Sequence, residues 1–590
     1  MITATLSLRR RKTEMTTTKL DPFTLEIVKD SLLSAGDEMF VALARTSMSP
    51  IIYEVLDYAS GLTDAHGNLL TQGNGVTGFI GMLTFMVKET LRKYPGEKLK
   101  EGDIIIINDP YQGGGSHLSD VGLVMPIFYQ GELVAFSANK AHWTEVGGKD
   151  PGSFTNDSVD IFQEGLQFSC IKLYDEGKLN EGIVEIIRSN VRFPDLSLGD
   201  MFAQVAALRT GDKRVRELCE KHSIETILAA IEYHLDHGEA ISRQELKKLP
   251  KGDFYAEDFI DTDGIGNGPF PIKVKVTITD DEFICDFRGS SPQVPGPMNC
   301  SYTGLVSAVR AIFLAITNPE QDVNDGVFRP LKIIVDPKSI MSAERPVPVS
   351  NYFETLLGSL DLVWKAMAPH IPTRLNAGQF LSVCAVTLSG NHQDTDEPFL
   401  IVEPSVGGWG GSIDKDGASG QFCFSDGETY NVPVEVAETR YGVLLDEYSL
   451  RQDGNGAGAG KFVGGKGVIR SYRALSDGQA VTVTFGRNKF LPWGIEKGHQ
   501  GSPNEFYVKK STGEVDGPYG VYPRYKLNTN DVVQLMTGTG GGYGDPLERS
   551  AAQVASDVKN GYFTAEEARE YFLVDVNEET FEYQELPGRS

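Results

Sequence analysis

The 590-residue sequence has no excess of positive charge: 55 lysines and arginines stand against 81 aspartates and glutamates, a formal net charge of -26. A nucleic-acid binder needs a basic footprint to neutralise phosphates, so that class is excluded. No stretch approaches 18 uninterrupted apolar residues, so no helical membrane span is expected. The first 15 residues, MITATLSLRRRKTEM, lack an apolar core of signal-peptide length, and their basic run follows the apolar residues. The expected location is the cytoplasm. Cysteine is scarce: six, at 170, 219, 285, 300, 384 and 423, with no Cys-x-x-Cys spacing. They read as buried thiols of a reducing compartment, and cysteine nucleophilic chemistry is unsupported. There is no Gly-x-Ser-x-Gly elbow, no dinucleotide-binding Gly-x-Gly-x-x-Gly, and no phosphate loop. The stretch NGAGAGKFVGGKG comes nearest to the last, but Asn455 stands at the first glycine position and Phe462 replaces Ser or Thr. If ATP takes part, another subunit is expected to hold it.

Glycine, in contrast, is abundant: 64 residues, above the usual share of roughly 7%. The glycines cluster outside helical patterns, which suggests tight turns and close backbone contacts. The length calls for two to four domains. Residues 1–19 read as a disordered extension. Apolar positions Leu25, Val28, Leu32, Met39 and Leu43 predict a helix after the cap Asp21 and before Pro50. Further helices are expected over 80–94, through most of 183–247, and at 302–315 and 352–367. Alternating strands begin near 250. The expected fold class is α+β and multidomain, with mixed or antiparallel sheets and Gly-rich strand-turn units. An N-terminal α+β domain over 20–247 would carry the site, a Gly-rich region over 248–548 would follow, and residues 549–590 would form a helical tail.

The stretch over 102–148 organises the chemistry. The apolar run from Ile104 to Ile107 leads into Asn108-Asp109-Pro110, three glycines at 113–115, His117 and Asp120; a second apolar-rich segment then reaches His142. A His-x-x-Asp pair on a turn can face one metal, and imidazole with carboxylate suits zinc, manganese or iron. Asp57 or Asp64, on or beside a strand, is a further candidate carboxylate. The competing reading is a hydrogen-bonded surface or core histidine, with glycines that only turn the chain or form an anion nest. His234 and His237 share a helical block without an acidic partner at metal-motif spacing and read as a solvated face.

Several segments together, DPFTLEIVKDSLLSAGDEM at 21–39, NDPYQGGGSHLSDV at 108–121, AHWTEVGGKDPGS at 141–153, RSNVRFPDLSLGD at 188–200 and GGGYGDPLER at 540–549, resemble the hydantoinase B/5-oxoprolinase family. The resemblance implies the second subunit of an ATP-dependent cyclic-amide hydrolase acting on hydantoin, oxoproline or lactam rings. It implies a hetero-oligomer in which a hydantoinase A-like partner binds ATP. It also implies a divalent metal, zinc or manganese, on Asp57, His117, Asp120 and His142. The sequence departs from the family pattern in reading Asp57-Tyr58-Ala59-Ser60, and in placing Trp143, Thr144 and Glu145 after the second histidine. Glu145 becomes a candidate proton acceptor beside the catalytic His117, Asp120 and His142. Related subunits occur in acetone and acetophenone carboxylases, so a ketone carboxylase subunit is the alternative, and a non-catalytic structural subunit is a third reading.

Overall fold

The Asp21 carboxylate accepts a hydrogen bond from the Phe23 N–H at 3.4 Å and Pro22 occupies the first helical position, so α1 (Pro22–Thr46) starts at a capped, preorganised turn. The computed structural model describes residues 21–589 apart from Asn74 and Gln321, so the extension expected over 1–19 lies outside the described residues. After the one-turn α2 (Pro50–Tyr53), chain order gives α3 (Met82–Lys93), α4 (Glu181–Asn190), α5 (Pro194–His222) and α6 (Ile224–Leu246).

These helices cover a seven-stranded antiparallel sheet. Its strands are β1 (Tyr58–Asp64), β2 (Leu69–Gln72), β3 (Ile104–Ile107), β4 (Asp120–Tyr129), β5 (Glu132–His142), β6 (Ile171–Asp175) and β7 (Lys178–Leu179), in the order β2-β1-β5-β4-β3-β6-β7. The uninterrupted isoleucines of β3 have a simple cause. Ile104 and Ile106 enter the core shared with α1 and α5, whereas Ile105 and Ile107 enter a second core with Leu83, Met86 and Val87 of α3. A strand buried on both faces needs apolar residues at every position.

Beyond Leu246 a second sheet forms from β8 (Gly252–Ile260), β9 (Phe270–Ile278), β10 (Phe283–Asp286) and β11 (Leu331–Ile334), the last pair parallel. Helices α7 (Tyr302–Thr317) and α8 (Tyr352–Met367) are buried along most of their length. Two more antiparallel sheets follow between Ala385 and Met536, and the fold is α+β as expected. The end carries two short helices and also a strand pair, Val574–Val576 with Tyr583–Glu585, so it is not helical throughout.

The glycine clusters build one tight interior. Gly408 donates to the Gly538 carbonyl and Gly411 to that of Gly541, both at 2.9 Å, and Gly540 donates to that of Gly465 at 3.0 Å. A Cβ at Gly464 would lie 1.9 Å from the Gly540 carbonyl oxygen, so only glycine permits the approach. A single apolar cluster extends from Val28 to Tyr543 and joins both halves of the chain. One histidine of the pair on α6 departs from expectation. His234 is buried and its Nε2 lies 2.9 Å from the Leu70 carbonyl, tying α6 to β2, while His237 stacks on Tyr233. Among the described residues no helix is long and apolar enough to cross a membrane, and all six cysteines are buried and unpaired.

Candidate metal centre

Three neighbouring strand ends create the site. In the β4–β5 hairpin Asp120 pairs directly with His142, and β1 adds alongside so that Tyr58 pairs with Ala141. The His142 N–H then donates to the Asp57 carbonyl at 3.0 Å. Directly paired residues point to the same face of a sheet, which brings Asp120 and His142 together. His117 arrives from the loop between β3 and β4. Asn108 pins that loop: its amide donates to the carbonyls of Leu118 at 2.8 Å and Leu166 at 3.0 Å, and its oxygen accepts from Phe168 N–H at 2.7 Å. Gly113 and Gly115 both donate to the Asp109 carbonyl, folding the turn back under His117.

One ligand atom from each of His117, Asp120 and His142 lies within 4.8 Å of the other two. All three residues are buried. His117 Nδ1 lies 2.9 Å from the Ser350 carbonyl, which can only accept, so this nitrogen carries a proton and Nε2 is the atom on offer as a ligand. That Nε2 lies 3.3 Å from Asp120 Oδ1. Ser116 and Tyr352 donate their hydroxyls to the other oxygen, Oδ2, the latter at 3.3 Å. Neither nitrogen of His142 has a hydrogen-bond partner, and its ring stacks on Phe154 with centroids 5.3 Å apart. Burial, with His117 beside it, pushes His142 down to about 3, so the ring is neutral and able to donate a lone pair. Burial would raise Asp120, but His117, Lys140 and His142 hold it below the usual carboxylate range.

The surroundings balance charge. Burial raises Asp57 well above the ordinary value, the Asp120 and Asp426 carboxylates add to the effect, and Lys140 opposes it. Lys140 is buried; burial lowers it to about 8 against the pull of Asp120 and Asp57, and its ammonium sits 5.5 Å from the Phe79 ring centre. Asp426 comes from the other half of the chain, on a segment fastened by Gly78 N–H to the Ser425 carbonyl and by Tyr430 N–H to that of Val55. Glu164 accepts from the N–H groups of Val349 at 3.0 Å and Ser350 at 2.9 Å, fixing the carbonyl that orients His117.

The expected residues therefore separate. His117, Asp120 and His142 converge; the Asp57 carboxyl belongs to the surrounding charge cluster and is outside the three-residue ligand group. Asp64 is committed elsewhere, accepting from the His66 and Asn68 N–H groups at 2.8 Å. Glu145, the candidate proton acceptor, is engaged by a neighbour. It is fully buried with Oε1 on the Arg192 N–H and Oε2 2.9 Å from Arg192 Nη1, a structural ion pair. Sequence reading missed Lys140, Glu164, Ser350, Tyr352 and Asp426. Only Lys140 left a signal: a lone lysine two positions before His142 in a buried strand shares that histidine's face.

Two imidazoles and a carboxylate, with both His142 nitrogens and Asp120 Oδ1 unsatisfied, fit a divalent cation by donor chemistry. The sequence model of the Hydantoinase B/oxoprolinase family matches residues 21–546, and the chain belongs to that family. A Pseudomonas sp. (strain NS671) protein, provisionally named as a D-/L-hydantoinase subunit, is 33% identical, covering 96% of this chain and 97% of its own. The crystal structure of ATP-dependent caprolactamase from Pseudomonas jessenii superposes with a TM-score of 0.88 at 27% identity over 94% of this chain and 96% of that one. A nucleotide-free acetone carboxylase structure gives a TM-score of 0.87 at 19% identity, covering 96% of this chain and 82% of that one, and shares the fold.

Proposed function

We propose that this chain is the metal-holding subunit of an ATP-dependent enzyme that opens cyclic amides, acting with a hydantoinase A-like partner that binds the nucleotide. The observation that carries the reading is the buried group of His117, Asp120 and His142 with its unsatisfied donor atoms. Kinship with proteins named for hydantoin and caprolactam chemistry supports the substrate class. The absence of a phosphate-loop motif in the sequence supports placing ATP on the partner.

His117, Asp120 and His142 would hold zinc or manganese, with the Asp57 carboxyl in the charge cluster beside them. Such an ion polarises a carbonyl oxygen or lowers the pKa of bound water. The Ser350 carbonyl keeps the His117 proton on Nδ1 and so directs Nε2 inward. Ser116 and Tyr352 occupy Asp120 Oδ2 and leave Oδ1 for coordination. Lys140 offsets the carboxylate charge. Resonance makes an amide carbon a poor electrophile; phosphoryl transfer from ATP to the amide oxygen, with ADP leaving, would remove that protection before water attacks.

The test is to purify the chain with its A-like partner and supply hydantoins, lactams and ketones with ATP, with and without labelled bicarbonate. Ring-opened product is expected. His117→Ala should cut turnover at least a hundredfold, by analogy with loss of other essential site groups, without changing the circular dichroism spectrum. Full activity of metal-depleted His117→Ala would refute the proposal, and label entering a ketone would favour the carboxylase alternative.

A further inference from the structure

Thr144 is buried, and its hydroxyl has no hydrogen-bond partner. A buried hydroxyl without a partner is unfavourable, so it marks a position where a polar group is expected to arrive. It borders a cavity of about 160 Å³ between the two halves of the chain. Ile51, Phe193 and Leu196 form one wall; Phe399, Leu400 and Val402 form the other. Two backbone links tie the cavity to the region of the metal site. Thr144 follows His142 by two residues, and the Ile51 carbonyl accepts from the Asp57 N–H at 3.0 Å. On the rim, the exposed Arg440 donates to the Tyr53 hydroxyl across the junction of the halves.

We propose that this cavity is the subsite for the substrate ring: a small, largely apolar cyclic amide whose polar edge meets the Thr144 hydroxyl. The proposal rests on the cyclic-amide reading above and specifies which rings it admits. A cavity of about 150 Å³ accommodates benzene, so a single five- to seven-membered ring is of a size to fit. A ring substituent must leave past Arg440. Its other guanidinium N–H groups have no protein acceptor among the described residues, and they suit a carboxylate.

Titration calorimetry of the full chain with 2-piperidone, hydantoin and 5-oxoproline reads ring binding without turnover, and the same variants in the complex with the ATP-binding partner read ring opening. Leu196→Trp fills the cavity from the start of α5 and should weaken all three ligands at least tenfold with metal content unchanged. Thr144→Val keeps the shape and removes the hydroxyl; about tenfold weaker binding is expected, the worth of one hydrogen bond. Arg440→Ala should weaken 5-oxoproline alone, because it alone carries a carboxylate. Undiminished binding and ring opening in Leu196→Trp would overturn the cavity assignment and leave the cyclic-amide reading standing. A wild-type complex that opens no cyclic amide but fixes labelled bicarbonate into a ketone would overturn that reading, and the ligand class with it.

Discussion

Tyr352 donates its hydroxyl to Asp120 at 3.3 Å from a helix more than two hundred residues away, which makes it the simplest probe of how the site is tuned. Removing a hydrogen bond that orients a ligand commonly costs about 10- to 100-fold in metal affinity. Tyr352→Phe keeps the ring that packs 5.1 Å from His117, so we expect that loss in a chelator competition assay with an unchanged melting temperature. Glu145 makes the opposite case. If it only anchors Arg192, then Glu145→Gln and Arg192→Ala should each lower the melting temperature, and the double variant should be less destabilised than their sum. A fall in kcat at constant stability would instead restore its proton-accepting role. Glu354 allows a pH test remote from the ligands. Burial pushes it up to about 8, although the Ser382 hydroxyl donates to it at 2.5 Å. Its folded pKa exceeds its unfolded one, so its contribution to stability is fully present below the unfolded value of about 4.5 and is lost as pH rises through 8. Glu354→Gln removes the titration. Denaturant melts at pH 5 and 8.5 should show the variant gaining on the wild type by up to about 4 kcal/mol at the higher pH. An equal gap at both would mean the carboxyl is not held protonated.

At the scale of elements, the loop of 108–119 was readable in advance because its chemistry is local. Asn-Asp-Pro and three glycines announce a turn, and Gly114 has φ of 69°, which other residues adopt only under strain. A Cβ there would stand 2.7 Å from the Met82 carbonyl oxygen and 2.9 Å from the Met86 nitrogen of α3. Gly114→Ala should therefore lower stability by roughly 1–3 kcal/mol and weaken metal binding by displacing His117, measurable by melting and by metal analysis of the purified chain. Retention of both would mean the loop can bend without moving the ligand. The β4–β5 register, in contrast, could not be counted from the sequence. The turn pairs Tyr129 with Glu132 and Phe128 with Leu133, and that spacing continued would set Asp120 opposite Ala141. A bulge between Ile127 and Phe128 inserts one extra residue in β5 and moves Asp120 onto His142. No residue type marks the bulge, yet a one-residue slip would have turned the two ligands to opposite faces. His234 was misread for a related reason: its helix face is apolar enough to be buried, and only the contact with Leu70 in a distant strand shows why a histidine sits there.

For the molecule as a whole, the same limit appears as a division of labour between distant segments. The helices, the apolar run that becomes β3 and the family motifs were legible because they depend on neighbours in sequence. The walls of the site were not, because Ser350, Tyr352 and Asp426 reach it only after the second half of the chain has folded onto the first. The residues expected to form an N-terminal domain therefore hold the ligands but only part of what orients them. The apolar cluster says the same energetically: it joins Met39 and Leu208 with Phe313 and Leu357 in one core. Each buried side chain of this size contributes about 1.5–3 kcal/mol, so cutting the chain in the Lys247–Lys251 connection and removing residues 252–589 would expose much of what stabilises the seven-stranded sheet. We expect a fragment of residues 21–247 to aggregate or to show weak amide protection, and to retain no tightly bound metal. Co-expression with the remaining segment should restore both protection and stoichiometric metal, since the break falls between α6 and β8, outside either sheet. A fragment that folds alone and holds metal with full affinity would show that the ligand triad is self-sufficient, and that Ser350, Tyr352 and Asp426 serve the substrate rather than the ion.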